Sequence, residues 1–264
     1  MARQDVRTSH LTKSWWLRWP VHHRRQTRRD MTPRDMTPHD YACAALCLSV
    51  AVAVIDIAYF YPRSWYIAYT HWNFSIVVLF FLLQCVGSLA EDDTKEFAVV
   101  AWGGTLSVNA GYWLYLFPKR RARGEVSFAT LSPASVAKHG GSVLWLLGYA
   151  IVSDTALPRI DGFRVGLLLA LPCCYVIFSI VHHHNTGEWV YGAFFAKPRV
   201  RLGFCLVPTL AYCAGTLAVT AIVRLQLPTW VAGALLLATP LHFVLGWRLV
   251  KAKVFGGKKQ KKSK

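Results

Sequence analysis

The chain has 264 residues, 54% of them hydrophobic and only 16% charged, with a formal net charge of +17. Soluble domains carry nearer a quarter charged residues, so a soluble globular enzyme is excluded. The charge is concentrated at the ends: of 30 Lys and Arg, 9 lie in residues 1–40 and 7 in residues 251–264. Neither tail holds a recognisable nucleic-acid module. Basic flanks are what membrane topology itself requires, and contact with anionic lipid head groups accounts for them without a nucleic-acid partner.

In chain order, residues 1–40 read as a disordered or surface-lying basic tail. It contains a tandem RDMTP and cannot bury a core. Its KSWWLRWP stretch suits the membrane interface, where Trp and Arg are both at home. Apolar runs follow at 41–61, 66–90, 97–117, 136–156, 163–184, 202–223 and 228–249, each near the length needed to cross a bilayer. The expectation is an all-α polytopic transmembrane bundle of six to seven helices over residues 41–250, ending in a basic cytosolic tail, 251–264. Cys43, Cys47, Cys85, Cys173, Cys174, Cys205 and Cys213 all fall within these runs without zinc-like pairing, and read as small apolar packing residues.

Orientation follows from the basic residues of short loops. Loops after the first, third and fifth helices carry Arg63, Lys119, Arg120, Arg121, Arg123, Lys138, Lys197, Arg199 and Arg201, nine in all. The opposite loops carry Lys95, Arg159, Arg164 and Arg224, four in all. The nine-residue side is the cytosolic one by this count. Lys261 and Lys262 stand at the −4 and −3 positions from the C-terminus, the form of a dilysine retrieval signal. Read by a retrieval coat from the cytosol, it would place the protein in the endoplasmic reticulum; the alternative is an ordinary polybasic end, which is cytosolic as well.

Polar residues gather in one membrane layer. Thr70 and His71 open the second helix, His139 opens the fourth, and His182, His183 and His184 close the fifth. The Tyr112-Trp113-Leu114-Tyr115 end of the third helix joins them. His71 and His182 read as interfacial residues facing head groups. Asn109 reads as a helix–helix hydrogen bond. Asp56 lies deep in the first helix with no Lys or Arg near it in sequence. Three consecutive histidines diverge by about 100° each on a helix and cannot face one ion, so no metal or other cofactor is expected. Thr70 and His139 are a Thr/His pair at matching depth, and a neutral histidine is the usual base for a hydroxyl nucleophile. Both stand near helix N-termini, whose amides favour a developing anion.

The run His183-His184-Asn185-Thr186-Gly187-Glu188-Trp189-Val190-Tyr191 resembles the H-H-x-T-G-x-W-V-Y signature that closes the fifth helix of the androgen-induced protein family. That family includes the androgen-dependent TFPI-regulating protein and is related to rolling-stone-like proteins. Thr70-His71-Trp72-Asn73 is similar to its T-F-x-N/D at the start of the second helix, and His139 matches the histidine opening the fourth. The resemblance covers roughly residues 41–224. It implies an intramembrane hydrolase of fatty acid esters of hydroxy fatty acids, with Thr70 as nucleophile and His139 as the catalytic histidine. Gly192 stands where the family has Pro, and Gly-Gly-Ser follows His139 where the family runs to Leu-Pro. In this reading the substrate is a lipid ester in the bilayer. Asn73, one turn after Thr70, orients the hydroxyl or donates to the oxyanion, and His183 orients the site. Trp189 and Tyr191 anchor the segment at the interface and line an acyl path. With no carboxylate evident as a third member, a dyad is expected. The alternative is a non-catalytic multi-pass protein: a receptor, scaffold or transporter.

Overall fold

The computed structural model describes residues 36–61, 64–87, 91–122, 124, 132–155, 157–191, 195–225, 228, 230, 231 and 234. Nearly all of the basic N-terminal tail, most of the seventh apolar run, Gly192 and the C-terminal tail with Lys261 and Lys262 lie outside the described residues. Within them the protein is all-α, with six helices.

Helix α1 spans Pro38–Tyr59. Its start is set by a reciprocal capping box: the Thr37 hydroxyl accepts from the Asp40 amide at 3.1 Å, and the Asp40 carboxylate accepts from the Thr37 amide at 3.3 Å. Pro38 adds a preset φ where an amide is not needed. A single 3₁₀ turn, Trp65–Ile67, leads into α2, Tyr69–Val86, which ends on Gly87 in the left-handed region at φ 61°.

Helix α3 runs as Glu91–Ala110, a π-helical turn over Gly111–Leu116, and Phe117–Ala122. It begins six residues before the apolar run at 97–117, because the acidic stretch EDDTKE is its first turn and not a loop. Carboxylates there complement the positive end of the helix dipole. Helix α4 runs as Pro133–Val136, a π turn over Ala137–Gly141, and Ser142–Val152, capped by the Ser132 hydroxyl. Helices α5, Gly162–Thr186, and α6, Pro198–Arg224, complete the bundle.

Helices α1, α2, α5 and α6 are long and apolar enough to cross a membrane, which makes this an integral membrane protein. Helix α3 is central, contacting α2, α4, α5 and α6. Its close approach to two of them depends on glycine. A Cβ on Gly103 would strike Leu168 of α5, and one on Gly104 would strike the Asn73 amide of α2. The larger core joins α1–α4 around Phe74, Phe80, Phe81, Trp102, Trp145 and Leu146. A smaller aromatic cluster, Tyr69, Tyr175 and Phe195, lies at the other side of α2.

Candidate active site

One layer of the bundle encloses a cavity of about 660 Å³. It is lined from the start of α2 by Tyr69 and Thr70, from the π turn of α3 by Tyr112, and from α4 by His139. Val190 and Tyr191, after α5, and Phe204, near the start of α6, close it. These helix ends are the ones that alternating spans bring to a single face, so the shared layer expected from the sequence is the layer of the cavity. A second chamber of about 240 Å³ adjoins it and shares Thr70, Tyr112, Arg120, His139 and Tyr191.

Thr70 is the second residue of α2, in the turn where amides point out of the helix. The Tyr191 hydroxyl accepts from the Tyr69 amide at 3.0 Å and faces the amide and hydroxyl of Thr70 as well. Burial pushes the Tyr191 phenol above its ordinary value, so it keeps its proton and stands as a donor beside Thr70.

His139 sits within the π turn of α4. Single π turns are frequent at functional sites, and here two of them face each other. The His139 ring stacks on Tyr112 of the α3 π turn, with centroids 3.6 Å apart and planes 8° from parallel. The His139 carbonyl accepts from the Trp113 indole at 2.8 Å and from the Asn109 side-chain amide. Asn109 is therefore the helix–helix bond expected of it, and it holds the base's own backbone. Two expectations are corrected at this position. His139 is the seventh residue of α4 and does not open it, and the field of the helix terminus fades within the first turn. That field acts at Thr70 and does not act at His139. The imidazole is held by stacking, and its Nδ1 is buried with no hydrogen-bond partner among the described residues.

The other expected site residues are placed less centrally. Asn73 lies between α2 and α3, donating to the Thr105 hydroxyl at 3.3 Å, and does not line the cavity. His183 stacks on Trp189 at 4.1 Å between centroids, and the Arg201 guanidinium lies over that indole at 5.1 Å. Both stand outside the cavity lining, while Tyr191 of the same segment is part of it. The helix 5 signature thus forms one wall, with the His183–Trp189–Arg201 stack bracing it from behind.

A buried charged cluster was not assembled from the sequence. Asp56, His71 and Lys138 are 0%, 2% and 4% exposed. Lys138 Nζ donates to Asp56 Oδ2 at 2.5 Å and to His71 Nε2 at 2.7 Å, while Nδ1 of His71 donates to the Trp65 carbonyl at 2.5 Å. The Trp65 indole adds a bond to Asp56 Oδ2 at 3.0 Å, and Tyr61 places its ring 5.0 Å from the ammonium. His71 is therefore an interior residue, not one facing head groups. Lys138 is the missing partner of Asp56, 82 residues away in sequence, and not a loop cation. Removing it from the loop count leaves eight basic residues against four, which keeps the orientation. The signal available in the sequence was the buried-looking Asp56 itself, since a carboxylate deep in a span demands a cation from somewhere.

Comparison of the chain with protein-family models, curated proteins and solved structures gave no match in any of the three.

Proposed function

We propose that the protein is an intramembrane lipid-ester hydrolase in which Thr70 is the nucleophile and His139 the base. The observation that carries this reading is that Thr70 and His139, from different helices, line one cavity whose remaining walls are mostly apolar: Val108, Leu116, Phe195, Val200 and Phe204. A hydroxyl and an imidazole on the wall of one apolar chamber are what acyl-ester cleavage needs.

In this reading His139 takes the Thr70 hydroxyl proton as the oxygen attacks the ester carbonyl, forming a C–O bond and a tetrahedral oxyanion. The Tyr191 hydroxyl donates to that oxyanion. Collapse breaks the ester C–O bond, and the departing alkoxide takes the proton from His139. Water then attacks the acyl-threonine by the same route, releasing the acid and restoring Thr70. The Tyr112 stack and the bonds to the His139 carbonyl hold the base in place of a third, carboxylate member. The apolar chamber suits the acyl chain of a lipid ester, the broad substrate class that the family resemblance implies.

The test is ester turnover by purified full-length protein. Thr70→Ala and His139→Ala should each abolish most hydrolysis, and the double variant should be little worse than either, because residues acting as one unit are not additive. Thr70→Ser should retain measurable activity. Undiminished turnover by Thr70→Ala would leave Thr70 a helix-end hydroxyl and return the protein to the non-catalytic class.

A further inference from the structure

The smaller chamber is unlike the larger one in its chemistry. Arg120, Lys138, His71 and His139 line it, and no Asp or Glu does among the described residues. Asp56 compensates Lys138 from behind. Arg120, exposed at the mouth and shared by both chambers, has no acidic partner among the described residues. Ser64 and Tyr61 add hydroxyl-bearing residues to the lining. His139, only 7% exposed and shared by both chambers, has its Nδ1 without a partner among the described residues. A buried polar atom without a partner costs free energy unless something supplies one. Lys138 and His71 are already engaged with Asp56, with each other and with the Trp65 carbonyl, so the donors left to an incoming anion are Arg120 and the hydroxyls, with no carboxylate on the wall among the described residues.

The position of this chamber matters as much as its charge. It shares Thr70 and His139 with the apolar chamber, so whatever occupies it lies beside the reacting centre and not at the far end of an acyl chain. We propose that the smaller chamber binds the oxyanion head group of a lipid ester, a phosphate or carboxylate only a few bonds from the scissile ester, with Arg120 as its entry cation. The proposal rests on the hydrolase reading where it names the ester as scissile, but binding of the anion needs no turnover. It also narrows the substrate. An acyl glycerol phosphate, or an acyl ester of a short hydroxy acid, fits the two chambers. An ester whose free carboxylate lies many carbons away does not.

The test is equilibrium binding to full-length Thr70→Ala protein in neutral-lipid nanodiscs, followed by tryptophan fluorescence. The probes are oleoyl glycerol 3-phosphate, the oleoyl ester of glycerate, neutral monooleoylglycerol, and the oleoyl ester of 9-hydroxystearate. At least one of the first two should bind roughly tenfold more tightly than the neutral lipid and the long-spaced acid, as charge-assisted bonds to a guanidinium allow. The tighter of those two identifies the head group as phosphate or carboxylate. Arg120→Gln should reduce the preference to within about threefold, and Arg120→Lys should restore part of it, since a point charge replaces the two-pronged donor. Equal binding of the neutral lipid overturns the proposal. So does a preference that survives Arg120→Gln, or binding of the 9-hydroxystearate ester as tight as that of the short-spaced anions. If the unmodified protein turns over none of these esters while the binding preference holds, the hydrolase reading fails and the anion site stands.

Discussion

Replacing Asp56 by Leu should be the most damaging single change in the membrane domain. Its Oδ2 accepts from the Lys138 ammonium at 2.5 Å and the Trp65 indole at 3.0 Å, and stands 3.1 Å from His71 Nε2. All three charged or chargeable groups are almost fully buried. Removing the carboxylate leaves Lys138 and His71 facing each other with no anion. Breaking a buried pair from one side costs about 3–5 kcal/mol. At about 2–4 °C per kcal/mol for a domain of this size, thermal unfolding in detergent should move down by roughly 6–20 °C. Lys138→Met should cost less, because His71 stands close enough to take a proton and replace the lost cation. The double variant Asp56→Leu with Lys138→Met should recover much of the loss, since no unpaired charge then remains. Single changes that shift unfolding by no more than about 2 °C, or a double variant equal to the sum of the singles, would refute a coupled buried cluster.

Three further outcomes follow from the packing, the charge count and the C-terminus. Gly148→Ala should destabilise by about 1–3 kcal/mol, because a Cβ there meets the buried Tyr41 ring and hydroxyl; adding Tyr41→Phe should relieve part of this in the same thermal assay. A glycosylation acceptor placed in the loop between α3 and α4 should stay unmodified in microsomes, and one placed between α2 and α3 should be glycosylated. Changing Lys261 and Lys262 to Ser should move the protein from the endoplasmic reticulum to later compartments, as seen by fluorescence microscopy.

How much of this was legible depended on whether a residue's partner was local. Apolar run length gave the helices, because crossing a bilayer fixes length and composition together. The common layer of Thr70, Tyr112 and His139 followed from alternation of spans, which needs no packing detail. Helix ends were displaced where polar residues are themselves helical, as with Glu91 to Glu96 of α3. The Asp56–Lys138 pair was not legible because its members are 82 residues apart and Lys138 looks like a loop cation. Lys138 stands in a stretch, residues 132–139, that is buried on every side in the bundle, and no local sequence feature announces that burial. Asn73 shows the converse. Its spacing from Thr70 put both on one face of α2, but that face divides between the cavity and α3, and the Gly104 notch takes the amide.

Covalent capture at Thr70 tests the central claim most directly. Purified protein would be treated with a fluorophosphonate probe, digested, and the modified residue located by peptide mass spectrometry. A Thr70 activated by His139 should carry the adduct. Labelling should be lost in Thr70→Ala, strongly reduced in His139→Ala and retained in Thr70→Ser. An adduct on another hydroxyl, or lipid-ester turnover by a protein that takes no probe at Thr70, would contradict the dyad.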